Sequence, residues 1–173
     1  MTTIRQARVD DAERIGTVHV AAWRSAYAGI VPASVLEAQD ERVRAAFWER
    51  YVRGENWPLF VAEARGELVG FASCIPCRDP DLAGSSVSEL AAIYLLEGAS
   101  GKGIGTSLLR RCSAEAVECG CDAMTLWVLE ANLRARRFYD ARGFRLDGAR
   151  THDTGLQANE VRMRAGLPIV GAS

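Results

Sequence analysis

The stretch Gly101-Lys102-Gly103-Ile104-Gly105 constrains this chain more than any other segment. It follows an apolar, strand-like run (VSELAAIYLL, residues 87 to 96) and opens a segment in which Ile104, Leu108, Leu109, Cys112 and Ala116 recur at helical spacing until Gly120. Strand, glycine turn and helix in that order aim several backbone N–H groups and the positive end of the helix dipole at one point, which favours an anion such as phosphate. Spacing excludes two familiar versions. A Walker loop has four residues between its first Gly and the Gly-Lys pair and then Ser or Thr, whereas Gly98-Ala99-Ser100-Gly101-Lys102 has two and Gly103 follows. A dinucleotide fingerprint counted from Gly103 requires a third glycine where Leu108 stands. Taken alone, the cluster is equally compatible with a plain glycine-rich turn.

The rest of the chain supplies the context. TIRQAR reads as a short strand. Asp10 then caps a helix with Ile15, Val18, His19, Ala22, Trp23 and Ala26 on one stripe. Residues 33 to 54 read as one helix after Pro32, with Val43, Ala46, Phe47 and Tyr51 on its inner face. Strands over 59 to 65 and 67 to 75 meet at a hairpin turn at Gly66-Glu67, and the turn-rich CRDPDLAGSS loop leads to the strand at 87 to 96. After the glycine-turn helix come a strand at 122 to 129, a short helix from Asn132 to about Arg142, and strands at 144 to 150 and 159 to 165 separated by the loop HDTGLQA. The order β-α-α-β-β-β-α-β-α-β-β describes one mixed α/β domain spanning residues 1 to 173, with its core at about 3 to 165.

Composition narrows the function classes. With 21 basic against 22 acidic residues scattered along the chain, no extended surface is set to attract a nucleic-acid backbone. No run approaches a membrane span, and the start lacks the apolar core of a signal peptide, so a cytoplasmic protein is expected. The odd number of cysteines, five, fits reduced thiols. Cys74/Cys77 and Cys119/Cys121 lack the paired spacing of a zinc ribbon, so no metal is expected.

The glycine turn and its flanks resemble the GNAT superfamily of N-acetyltransferases. Its acyl-CoA loop has Gln or Arg, two residues, Gly, one residue, then Gly or Ala; Ser100, Gly103 and Gly105 occupy those positions, and Ser100 departs from the pattern. LWVLEANLRARRFYDARGF is similar to the family's second motif, and AAWRSAYAGIVP to a bacterial branch with W-x-x-x-Y-x-G, here Trp23, Tyr27 and Gly29.

The resemblance implies a mostly antiparallel sheet of about seven strands flanked by about four helices and splayed between the fourth and fifth strands. It implies transfer of an acetyl or other short acyl group from acetyl-CoA to a primary amine by direct attack, without a metal. Ser100, Gly101, Lys102, Gly103, Ile104, Gly105 and Thr106 would hold the pyrophosphate, and Ile93, Tyr94 and Leu95 would pair with the pantetheine through their backbone. Asn132 would bond the pantetheine and Tyr139 would protonate the leaving sulfur; the two are seven residues apart, on one stripe of their helix. Read without the resemblance, they are equally an N-cap Asn and an amphipathic core Tyr.

Glu89, near the start of the fourth strand, is the candidate base, with a solvated strand-end Glu or ordered water as the alternatives. Trp23, Tyr27 and Trp127 are candidate acceptor walls, or simply core aromatics. His19 reads as a core residue, and His152 as a surface residue of a loop that could border the acceptor. The acceptor itself, a small molecule or a peptide amine, stays open, and a homodimer is a further expectation from the resemblance. The rival readings are a non-catalytic acyl-CoA sensor and, further off, a nucleotide-binding protein.

Overall fold

The computed structural model describes residues 1–54 and 56–169. Seven strands form one sheet in the order β1-β2-β3-β4-β5-β7-β6. The strands are β1 (Thr2–Gln6), β2 (Leu59–Ala64), β3 (Glu67–Pro76), β4 (Val87–Leu95), β5 (Ala123–Leu129), β6 (Arg145–Asp153) and β7 (Ala158–Gly166). All neighbours are antiparallel except β4 and β5. That one parallel pair needs a crossover, supplied by helix α4 (Ile104–Glu118). Its register covers only Val87–Glu89 against Ala123–Thr125. From Leu90 onward β4 pairs with β3 alone, so the sheet parts there, as the resemblance implies.

Side-chain alternation sends successive residues to opposite faces. Phe60, Ala62, Ala72 and Cys74 join Leu108, Leu109 and Cys112 of α4 in one core. Leu59, Val61 and Phe71 join Ile15 and Val18 of α1 (Ala12–Tyr27) and Trp48 of α3 (Glu41–Arg53) in the other. The helices of this second layer touch through Gly16, where a Cβ would stand 2.6 Å from the Glu41 carbonyl. They are also tied by a buried hydrogen bond in which Trp48 Nε1 donates to His19 Nδ1 at 2.9 Å.

Charged groups close the sheet's ends. Buried Asp11 accepts from Arg5, Arg14 and the Arg8 backbone N–H, and Arg5 and Arg14 also bond Glu63, which fastens β1, the start of α1 and β2 together. Buried Arg162 on β7 meets Asp79, Asp81 and Asp147, pinning the CRDPDLAGSS loop to the sheet.

The structure corrects several local expectations. Asp11, not Asp10, stands at the start of α1, because a 3-10 turn at Val9–Asp11 intervenes, and its side chain reaches back to accept from the Arg8 N–H at the start of that turn. The expected helix over 33 to 54 is two: α2 (Ala33–Glu37) and α3, whose new start is fixed by Asp40 Oδ1 accepting from the Arg42 and Val43 N–H groups. The buried face of α3 centres on Trp48, leaving Val43 and Phe47 exposed, since the close approach at Gly16 turns Ala45 inward. The first hairpin turns at Arg65-Gly66, both at positive φ, the two-residue geometry that matches strand twist. Most of HDTGLQA is strand or tight turn, because β6 runs on to Asp153 and β7 starts at Ala158.

His19 is 6% exposed, and burial, with Arg44 adding to it, pushes its pKa from 6.5 down to about 4. The unfolded chain therefore takes up a proton near pH 6.5 that the folded one refuses until about pH 4. Stability should be flat with respect to this group above pH 6.5 and fall by about 3 kcal/mol as the pH drops to 4. Denaturant melts across that window should show the slope, and His19→Gln, which keeps an acceptor for Trp48, should reduce it.

Candidate functional site

Gly101 and Gly103 sit at φ +75° and +77° with nothing within 4 Å of an added Cβ, so it is their left-handed backbone that requires glycine. Gly103 is the N-cap of α4. The first intrahelical bond of α4 is from Ser107 N–H to the Gly103 carbonyl, which leaves the amides just before it without helical partners. Gly105 is needed for space instead: a Cβ there would lie 3.2 Å from the Phe138 ring.

These amides open on a cleft of about 590 Å³ between the glycine loop, β4 and α5 (Leu133–Asp140). The cleft brings together Ser100, Gly101, Gly103, Gly105 and Thr106 from the loop, and Ile93 and Leu95 from β4. Asn132 and Tyr139 complete it from the α5 side. Three of the anticipated cofactor residues turn their side chains elsewhere, which leaves their backbone groups as the part that can serve. Lys102 is exposed and does not line the cleft, and Ile104 is buried beneath it as a core residue, leaving only its backbone to contribute. Tyr94 faces the other side of the sheet, as alternation along β4 requires. Asn132 Oδ1 already caps α5 by accepting from the Ala135 N–H at 3.1 Å, so its amide NH₂ is the part left to donate.

Arg142, which the sequence reading passed over, also lines this cleft. Its Nε and Nη2 donate to Thr106 Oγ1 at 3.0 and 2.6 Å, its Nη1 to the Phe138 carbonyl, and its guanidinium lies 3.7 Å from the Phe138 ring centroid. Burial and the nearby Arg110 lower its pKa, and no carboxylate among the described residues pairs with it. A cation held rigidly without a counter-charge beside free helix amides is a place for phosphate. Arg142 thus brings a guanidinium to the loop whose own first position is Ser100. The only sequence signal was a cationic residue in the last turn before Gly143.

On the opposite face of β4 lies a second cavity of about 520 Å³, between α1, α3, β3 and the β6–β7 turn. The two spaces lie back to back, with Ile93 and Leu95 facing the cleft, and Ala92 and Tyr94 facing the cavity. A bulge at Ala91, between the Cys74–Leu90 and Ser73–Ala92 pairs, keeps each set on its own face. Three tyrosines stand at the junction. Tyr94 and Tyr27 hydroxyls are 3.4 Å apart, Tyr27 packs edge-on against Trp23, and Tyr139 is buried from the cleft side. Burial, reinforced by the charge of Tyr94, holds the Tyr139 pKa well above the usual phenol value, so it carries its proton at neutral pH.

Of the three aromatics read as candidate acceptor walls, Trp23 lines the second cavity and Tyr27 sits at the junction. Trp127 lines neither space. Its Nε1 donates to Asp79 at 3.0 Å, so it anchors the loop before β4. Glu89 is buried and both its oxygens bond Arg78, with Nε at 3.1 Å and Nη2 at 2.5 Å. A second carboxylate not singled out in the sequence, Glu160 on β7, is half-buried, and burial with the charges of Asp153 and Glu89 raises its pKa. It lines neither space, but it is close enough to act electrostatically on both Tyr27 and Tyr94. Its signal in sequence was weak, a lone acid on an edge-like strand. His152 is exposed and bonds Asn159.

A parted sheet with free helix N–H groups at its opening is a place for an extended ligand that carries phosphate. The model of the acetyltransferase (GNAT) family matches residues 13–144, and the chain belongs to that family. It is an acetyl-CoA-dependent N-acetyltransferase. The uncharacterized N-acetyltransferase YuaI of Bacillus subtilis is 32% identical over 166 residues, covering 90% of this chain and 92% of that protein. The PaiA N-acetyltransferase of Thermoplasma acidophilum, solved with coenzyme A, superposes with a TM-score of 0.77 at 22% identity, covering 96% of this chain and 99% of that one. YncA of Salmonella typhimurium, solved with acetyl-CoA, superposes at 0.72 and 22% identity, covering 100% and 98%.

Removing the guanidinium with Arg142→Met should weaken acetyl-CoA binding by roughly tenfold or more, the scale of a hydrogen bond to a charged group. Adding Ser100→Arg in that background should recover part of the loss. Titration calorimetry checks both, and equal affinity in wild type and Arg142→Met would remove Arg142 from the site.

Proposed function

We propose that the 590 Å³ cleft holds acetyl-CoA and the 520 Å³ cavity holds the amine, with transfer at the tyrosine junction between them. The observation that carries this reading is the placement of the two spaces on opposite faces of the single strand β4, where a nucleophile and a thioester can be brought together without a covalent enzyme intermediate. A second formed cavity is also what a pure acyl-CoA sensor would not need. The reading extends to the chain as one domain acting in the cytoplasm, where its five free cysteines would remain reduced.

In the cleft, the loop amides and Arg142 hold the pyrophosphate and the Asn132 NH₂ donates to the pantetheine. Backbone groups of β4, unpaired where β5 diverges, complete the pantetheine's hydrogen bonds. An N–H group of that strand facing the thioester oxygen would stabilise the charge that develops there, a fixed donor being worth on the order of 3 kcal/mol. Tyr139 gives its proton to the departing thiolate and regains one from solvent or from the amine side. The base is Glu160 rather than Glu89: with both oxygens held by Arg78, Glu89 would have to break its ion pair to accept a proton. Glu160 is unpaired among the described residues, and its raised pKa suits proton removal from an ammonium, directly or through water.

Tyr139→Phe should lower kcat by roughly 100-fold or more while leaving acetyl-CoA affinity within about twofold. Equal turnover would exclude the tyrosine as the acid. A base must be deprotonated, so kcat/KM should fall as the pH drops through the raised pKa of Glu160, above the usual carboxylate range. Glu160→Gln should reduce kcat and remove that acidic limb, and Glu89→Gln should leave the limb in place.

A further inference from the structure

Resting on the assignment of the 520 Å³ cavity to the acceptor, we propose that the acceptor is a compact amine that also carries an anionic group, a carboxylate foremost, and that Arg44 binds this group. Arg44 reaches the cavity from α3 and is half-buried. Its Nε and Nη2 both bond the neutral Gln39 Oε1, at 3.1 and 2.7 Å. No carboxylate among the described residues neutralises it, and Nη1 is left to donate. The other cation of the wall, Arg78, is already paired with Glu89.

The remaining polar groups point the same way. Tyr51 Oη is buried in the cavity wall with no hydrogen-bond partner. His19 Nδ1 accepts from Trp48, so the neutral ring carries its proton on Nε2, a second donor. A wall rich in donors and holding an uncompensated guanidinium complements an acceptor-rich anion. Phe47 and Trp48 supply an apolar surface for the body of the ligand. One acid, Asp153, lines the cavity at the β6–β7 turn, on a different element from Arg44, and is felt electrostatically by Glu160. A molecule with its anion at Arg44 and its ammonium toward these carboxylates matches the charges end to end. A polyamine or aminoglycoside would set a second cation against Arg44.

The test is a thiol-release assay with acetyl-CoA and matched acceptors: phenylalanine with phenethylamine and phenylalaninamide, leucine with isoamylamine, together with spermidine and a lysine-containing peptide. The acid of each pair should be preferred in kcat/KM by at least tenfold. Arg44→Met should raise KM for the acids by roughly 10- to 100-fold, with kcat and the acetyl-CoA KM little changed, and leave the amine partners unaffected. Arg44→Lys should recover part of the loss. Equal or better use of the uncharged partners, preference for spermidine or the peptide, or an equal effect of Arg44→Met on both members of a pair would overturn the proposal while leaving the transferase intact. If no amine releases CoA, the assignment of the cavity falls and this inference falls with it.

Discussion

The structure turns on how briefly β4 and β5 pair. Three residues of parallel ladder, Val87–Glu89 against Ala123–Thr125, hold the halves of the sheet together, and beyond them the strands separate. Buried backbone groups must find partners, so a parted sheet is stable only where a ligand or solvent can reach the gap. The crossover helix α4 begins beside that gap and ends near the paired portion, and it therefore presents its unpaired N–H groups at the opening while its apolar face seals the sheet below. The bulge at Ala91 lets one strand border two spaces, with alternate side chains facing the cleft and the cavity behind it.

Charge compensation separates scaffold from site. Asp11 with Arg5 and Arg14, Arg162 with its three aspartates, and Glu89 with Arg78 are closed networks in which each buried charge meets its opposite. Breaking such a network costs several kcal/mol because the partner stays buried and unpaired. Arg142 and Arg44 differ. Each is half-buried and held by neutral acceptors, Thr106 and the Phe138 carbonyl for one and Gln39 for the other, one at each ligand space. Neutral acceptors offset only part of their desolvation, which leaves each able to take an anion.

Most elements were legible in the sequence because hydrophobic period reports burial directly. Ile104, Leu108, Leu109, Cys112 and Ala116 form the buried stripe of α4, and β2 and β3 lie within a residue of the apolar runs at 59 to 65 and 67 to 75. Errors cluster where a local signal had a close competitor. Asp10 and Asp11 are adjacent and alike in sequence, and only the convergence of Arg5 and Arg14 on Asp11 distinguishes the second. Val43 and Phe47 are as apolar as Trp48, yet the close approach at Gly16 sets the rotation of α3 and leaves them outside.

The sequence by itself determined the strand, glycine turn and helix, and with them the free N–H groups at the start of α4, since backbone conformation at Gly101 and Gly103 and the dipole of the helix are local properties. It also carried the family resemblance through Gly103, Gly105, Asn132 and Tyr139. Tertiary structure alone decided that Arg142 reaches Thr106 across 36 residues, that Glu89 is tied to Arg78, that Trp127 anchors a loop, and that Arg44 lines the cavity behind β4 with Gln39 as its partner. Each of these depends on which charges and donors meet in space, and pairing over long sequence separation leaves no period or spacing in the chain to read.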